Sequence, residues 1–147
     1  MYQTIVIAFD GTEAGQAALE QGSALARLTK ASLHILAIVV SSGGLLLDPS
    51  AVSQELLNTE RQFLEAALED CARALAKTGL HPITIIRDGD AAGEILAYLA
   101  QVKADLVVVG HSGKGLLERW FEGSIGKRLL ADLPCSLLVA KASAAAI

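Results

Sequence analysis

Apolar positions along this chain follow two periods. Five short runs are apolar at nearly every position: Ile5 to Phe9, Leu33 to Val40, Ile83 to Ile86, Leu106 to Val109 and Ser136 to Ala140. Such runs, bounded by turn residues, predict strands buried on both faces. Between them the spacing turns helical. Ala14, Ala18, Leu25 and Leu28 recur on one face after Thr12, a cap residue that follows Asp10-Gly11. From about Ala51 to Lys77, Leu57, Leu64, Leu68, Cys71 and Leu75 share a face, and Gly79 ends the pattern. Ile95, Leu99 and Val102 mark a short helix after Asp88-Gly89-Asp90, and Ile125 and Leu129 mark another that starts near Gly123-Ser124. Residues 41–50 carry Gly43, Gly44 and Pro49 and read as the one clear loop, with Leu45 to Leu47 making it unusually apolar.

Strands that alternate with helices predict an α/β fold: a single open, doubly wound, five-stranded parallel sheet with helices on both faces, Rossmann-like, in strand order 3-2-1-4-5. Ligands of such sheets lie at the carboxyl ends of the strands, where the strand order reverses. Strands one and four flank that point. Asp10 and Gly110, which end them, are therefore expected to be neighbours in space. No internal repeat and no linker divides residues 1–147, so one domain is expected.

Composition narrows the picture. Hydrophobic residues make up 52% of the chain and aromatic ones only 4%, which favours aliphatic helix-on-sheet packing over an aromatic binding surface. The formal net charge of -4 argues against a nucleic-acid binder working by bulk electrostatics. Cys71 and Cys135 lack metal-type spacing and are expected to be two buried thiols in a reducing cytoplasm. The start, Met1-Tyr2-Gln3-Thr4, has no basic leader, and no apolar run approaches the roughly 20 residues that span a membrane. A cytoplasmic protein without membrane insertion is expected.

The chemistry concentrates after the fourth strand, in Gly110-x2-Gly113-x9-Gly123-Ser124. Glycines let a backbone approach an anion, and a helix start at Gly123-Ser124 offers unpaired N–H groups and the positive end of a dipole. Lys114, inside the loop, is placed to reach terminal phosphates. Asp10 is the second candidate, to accept from a ribose or to hold a divalent cation, Mg2+ or Mn2+, brought by the nucleotide. Three similar patterns fail. Gly110-His111-Ser112 lacks the final glycine of a nucleophile elbow, since position 114 is Lys, and no histidine follows Ser112. Gly113-Lys114 is followed by Gly115 and has Val108 where a P-loop needs its first glycine. The first turn, Asp10 to Gly15, is not a dinucleotide fingerprint. His34 and His81 have no partner at metal spacing and read as structural or surface residues. Trp120-Phe121 reads as a cover for a ligand or a partner.

At these residues the chain resembles the universal stress protein family over nearly its whole length. The matching features are Ile5-Val6-Ile7-Ala8-Phe9-Asp10-Gly11-Thr12, the second strand, the Gly89-Asp90 turn, the complete glycine motif of the nucleotide-binding branch, and Leu133-Pro134-Cys135-Ser136-Leu137-Leu138-Val139-Ala140. The resemblance implies that Asp10 contacts a ribose, that Ala8 and Phe9 line the site, and that the Ile38 backbone meets an adenine. It implies that Val109, Gly110, Ser112, Gly113, Gly123, Ser124 and Ile125 surround the phosphates and sugar. It also implies a homodimer joined through the last strand, about Ser136 to Ala140, with further pairing into tetramers left open. Many relatives read Gly-Ser-His-Gly where this chain has Gly110-His111-Ser112-Gly113, so the imidazole is moved by one residue.

The expected function is that of an ATP-binding, or more broadly adenine-nucleotide-binding, regulatory protein acting through dimer contacts or an unidentified protein partner in a stress response. A slow ATPase is the rival from the enzyme class, and no motif residue is an obvious general base for fast turnover. An interaction module with a vestigial nucleotide site is the third reading.

Overall fold

The computed structural model describes residues 1–39, 54–111 and 129–141. Strand β1 (Thr4–Phe9) leads to α1 (Glu13–Thr29), β2 (Ser32–Val39), α2 (Gln54–Ala76), β3 (Ile83–Asp88), α3 (Ala91–Val102), β4 (Leu106–His111) and β5 (Ser136–Lys141). Residues 129–132 are helical and lead into β5. All five strands are parallel, in the expected order β3-β2-β1-β4-β5.

Two apolar layers cover the sheet. Ile5, Ile7, Phe9, Ile35, Ala37 and Val39 pack against α1 and α2. Val6, Ala8, Leu36, Ile38, Val107 and Val109 pack against α3 and Leu129. The alternation along each strand sorts the residues between the two layers. Each fully buried Ile or Val contributes about 1.5–3 kcal/mol relative to an exposed one.

Several expectations change. Leu28 does not share the buried face of α1; it is 81% exposed. That face is centred on Ala18, Gly22 and Ala26, all buried, and Leu28 lies about 120° around the helix from its centre. Small residues line it because α1 lies very close to the sheet: a Cβ on Gly22 would stand 2.7 Å from Ile7 Cδ1. The strands are not covered equally. The edges β3 and β5 are largely half-buried or exposed, since an edge strand has a neighbour on one side only. β3 runs on through Arg87 to Asp88, and β4 runs through Gly110 to His111 rather than stopping at Val109. The two thiols, Cys71 and Cys135, are unpaired and half-buried instead of buried. Partial burial raises the pKa of both.

Candidate functional site

The geometry of interest begins at the far end of the sheet. Asp105 holds β1 and β4 together at their amino ends: its carboxylate accepts from the backbone N–H of Gln3 (2.7 Å) and Thr4 (3.1 Å), and its own N–H donates to the Thr4 carbonyl (3.0 Å). Pairing then runs from Ile5↔Leu106 to Ile7↔Val108 and stops. Beyond that point each strand follows its outer neighbour. β1 pairs with β2 as far as Phe9↔Ala37, and β4 pairs with β5 as far as His111↔Lys141. The β1–β4 ladder therefore ends before Ala8-Phe9 and Val109-Gly110, at the carboxyl end where the strand order reverses and sheets of this kind take their ligands.

Asp10, half-buried, stands at this end, directly after β1. Its Oδ1 accepts from the backbone N–H of Thr12 (3.0 Å) and from the Thr12 hydroxyl (2.5 Å). Thr12 Oγ1 in turn accepts from the Gly15 N–H (3.4 Å), capping α1 as expected. One carboxylate oxygen thus shapes the turn. Gly11 reverses the chain there at φ 81°, in the left-handed region. Gly15 lets the first helical turn lie on the strand end, because a Cβ there would be 2.8 Å from Phe9 Cδ1 and 3.0 Å from Asp10 Oδ1.

Gly110 has a packing role besides the one read from its spacing. Its φ is not in the positive region, which Gly11, Gly79 and Gly89 occupy among the described glycines. A Cβ on Gly110 would lie 1.8 Å from the Ala14 carbonyl oxygen and 2.3 Å from its carbon. Glycine is required here so that the first turn of α1 can cross β4. The close approach is to backbone.

Four other candidates, Ala8, Phe9, Ile38 and Val109, are 0–7% exposed and place their side chains in the two core layers. They have only backbone to offer at the rim. Ile38 lies one residue past the end of the β1–β2 pairing and pairs on its other side with Arg87. Next to it, Gly89 N–H donates to the Val39 carbonyl (3.0 Å), and Asp90 Oδ2 caps α3 by accepting from Gly93 N–H (2.8 Å). Ser112, Gly113, Lys114, Gly123, Ser124 and Ile125 lie outside the described residues, as do Trp120-Phe121 and Leu45 to Leu47. Among the described residues, no group of three or more His, Cys, Asp or Glu side chains could hold a metal ion. A cation at Asp10 would need oxygens from elsewhere.

Sequence reasoning missed a polar cluster away from this rim. His34 is 8% exposed, and its Nδ1 lies 2.7 Å from Tyr98 Oη, with the rings edge-to-face. Burial lowers the His34 pKa and raises that of Tyr98. Arg87 lies over the Tyr98 ring at 5.4 Å and also reaches Gln101 (2.5 Å) and Glu94 (3.9 Å). A periodicity signal was present, since His34 and Tyr98 both fall on core-facing positions. A polar residue at such a position needs a polar partner. His81, by contrast, is exposed, in keeping with the surface reading.

Comparison with known proteins adds the following. The family model described as the universal stress protein family matches residues 1–141. A universal stress protein of Methanocaldococcus jannaschii, MJ0531, is 31% identical over 144 residues, covering 96% of this chain and 83% of that one. Among solved structures, the universal stress protein UspA from Lactobacillus plantarum superposes with a TM-score of 0.76 at 24% identity, covering 95% of this chain and 97% of that chain. The universal stress protein from Archaeoglobus fulgidus in complex with dAMP gives 0.65 at 16% identity, covering 94% and 97%. At these identities the structural likenesses bear on the fold. Among the described residues, no helix is long and apolar enough to cross a membrane.

Proposed function

The chain belongs to the universal stress protein family, and we propose that it is a cytoplasmic regulatory protein that binds an adenine nucleotide, ATP in the first instance, across the rim between β1 and β4. The observation that carries this reading is the end of the β1–β4 ladder at Ile7 and Val108, at the reversal of strand order where such sheets bind ligands. Asp10 stands beside it with Oδ1 engaged in the turn, so Oδ2 is the oxygen to accept from ribose hydroxyls. In this reading the backbone of Ile38, one residue past the end of the β1–β2 pairing, meets the adenine edge. Ala8, Phe9 and Val109 supply backbone walls. The phosphates go to Gly110, Ser112, Gly113, Gly123, Ser124 and Ile125, with Lys114 at the terminal phosphate and any divalent cation arriving with the nucleotide. The dAMP complex of the Archaeoglobus fulgidus protein supports an adenine ligand for this fold.

The regulatory output of this reading is a homodimer paired through β5. That strand forms a sheet edge, and Val139 on it is 41% exposed. Pairing there covers an edge that is otherwise a liability. Nucleotide acts on it only through different contacts in different states, which the turn carrying Asp10 is placed to sense.

The test is to denature freshly purified protein, identify the released small molecules by mass spectrometry, and titrate emptied protein with ATP, ADP, AMP and GTP by calorimetry. Adenine nucleotide in the released fraction, or adenine-selective binding that Gly113→Val abolishes, is the expected result. No release, together with no heat from any adenine nucleotide at millimolar concentration, overturns the reading.

A further inference from the structure

The other edge of the sheet carries a feature that nucleotide binding does not use. β3 has β2 on one side and, among the described residues, no strand on the other. Natural edges are blunted by lysine, proline or a bulge. Here Pro82 stands before the strand and the charged pair Arg87-Asp88 closes it, while the stretch between, Ile83-Thr84-Ile85-Ile86, carries neither charge nor proline. Along this edge, beneath α2, runs an open groove of about 380 Å³ lined by Arg61, Glu65, Leu68 and Glu69 of α2 and by Thr84, Ile85 and Ile86 of β3. Leu68, 3% exposed, and half-buried Ile86 form an apolar floor. Glu65 and Glu69, both exposed and one helical turn apart, form an acidic lip. Arg61 is already committed to Asp88 and, at 4.0 Å, to Glu65. The opposite face of the edge is apolar as far as Arg87, which lies over Tyr98: Ile83 is 55% exposed, and the Ile85 side chain is half-buried against the α3 layer.

We propose that the β3 edge is a docking site for an extended segment of another protein in which basic and apolar residues alternate. A strand added to β3 would direct alternate side chains to the two faces. On the α2 side, the stems of Lys or Arg lie along Leu68 and Ile86 while their charged ends reach Glu69 first and then Glu65, which Arg61 already contacts. On the α3 side, apolar residues cover Ile83 and Ile85. A second copy of this chain is a poorer occupant, because pairing β3 with itself would bring these same carboxylates together in a chain of net charge -4. This inference is independent of the nucleotide reading.

The experiment uses the full chain and a fluorescein-labelled, nine-residue peptide of alternating Lys and Val, followed by anisotropy and by backbone amide shifts. The expected result is saturable binding with shifts concentrated at residues 83–88. Glu69→Lys should weaken it at least tenfold, whereas Glu20→Lys, the same charge change on α1, should leave it within twofold. Methylating alternate peptide nitrogens keeps the charge but removes strand pairing, and should abolish binding. No binding overturns the proposal. So does binding that survives methylation, spares residues 83–88, or responds equally to Glu20→Lys and Glu69→Lys.

Discussion

The carbonyl oxygen of Ala14 stands 1.8 Å from where a Cβ on Gly110 would be, so the first turn of α1 lies directly on β4. Both partners in that contact are backbone, and neither can rotate away. This contact fixes the first turn of α1, which follows the Asp10 turn, against the end of β4.

Gly110→Ala is therefore expected to cost about 3 kcal/mol or more, at the upper end of overpacking effects. Gly79→Ala provides the contrast. Gly79 has φ 89° but nothing within 4 Å of its added Cβ, so only backbone strain of about 1 kcal/mol applies. Urea unfolding of both variants checks the order. Equal losses, or a larger loss at Gly79, would contradict the backbone contact.

Asp10→Asn keeps an oxygen to accept from Thr12 and so should change stability by less than about 0.5 kcal/mol, a typical surface value. A charged acceptor at a ribose is worth about 1 kcal/mol more than a neutral one, so nucleotide affinity should fall about five- to tenfold. Calorimetric titration beside thermal unfolding separates the two. A variant that unfolds early and binds normally would leave Asp10 with a turn-forming role alone.

Tyr98→Phe removes the hydroxyl 2.7 Å from buried His34 and is expected to cost about 1–3 kcal/mol, the penalty for an unsatisfied buried group. Thermal unfolding at pH 7.5 measures it. Replacing Gln101, at the surface beside Arg87, should cost far less.

His34 also predicts a pH dependence. Burial holds its pKa below the ordinary 6.5, so the unfolded chain binds the proton more readily. Its contribution to stability is complete above pH 6.5, declines as pH falls from there through the folded value, and then levels off. Tyr98, whose pKa is raised above 10.0, acts at the other end, and its contribution is lost as pH rises past 10. Denaturation midpoints from pH 4 to 8 should slope downward on the acid side. His34→Gln, which does not titrate, should flatten that slope; an unchanged slope would assign it to other groups.

Val139→Lys places a charge on the exposed β5 edge and should convert the proposed dimer to monomer with little loss of fold stability. Light scattering after gel filtration reads the mass. A dimer that persists unchanged would move the interface elsewhere.

Much of the fold was legible because it depends on local rules. Nearly continuous apolar runs marked every strand, and Thr12 and Gly79 marked helix ends where the structure has them. Asp10 and Gly110 were expected together because a doubly wound sheet of this strand order sets strands one and four side by side at the reversal. Less legible was anything set by distance between elements. Leu28 looked like core from its spacing, yet Ala18, Gly22 and Ala26 face the sheet, because α1 lies too close to admit a large side chain.

The sequence alone determined which segments are strands and helices and the class of sheet they make, since periodicity, capping and turn residues act within a few positions. The tertiary structure alone decided that Gly110 yields to Ala14, that His34 meets Tyr98 64 residues away, and that the β1–β4 ladder ends at Ile7 and Val108. Those outcomes depend on how closely separate elements pack, and no single segment carries that distance.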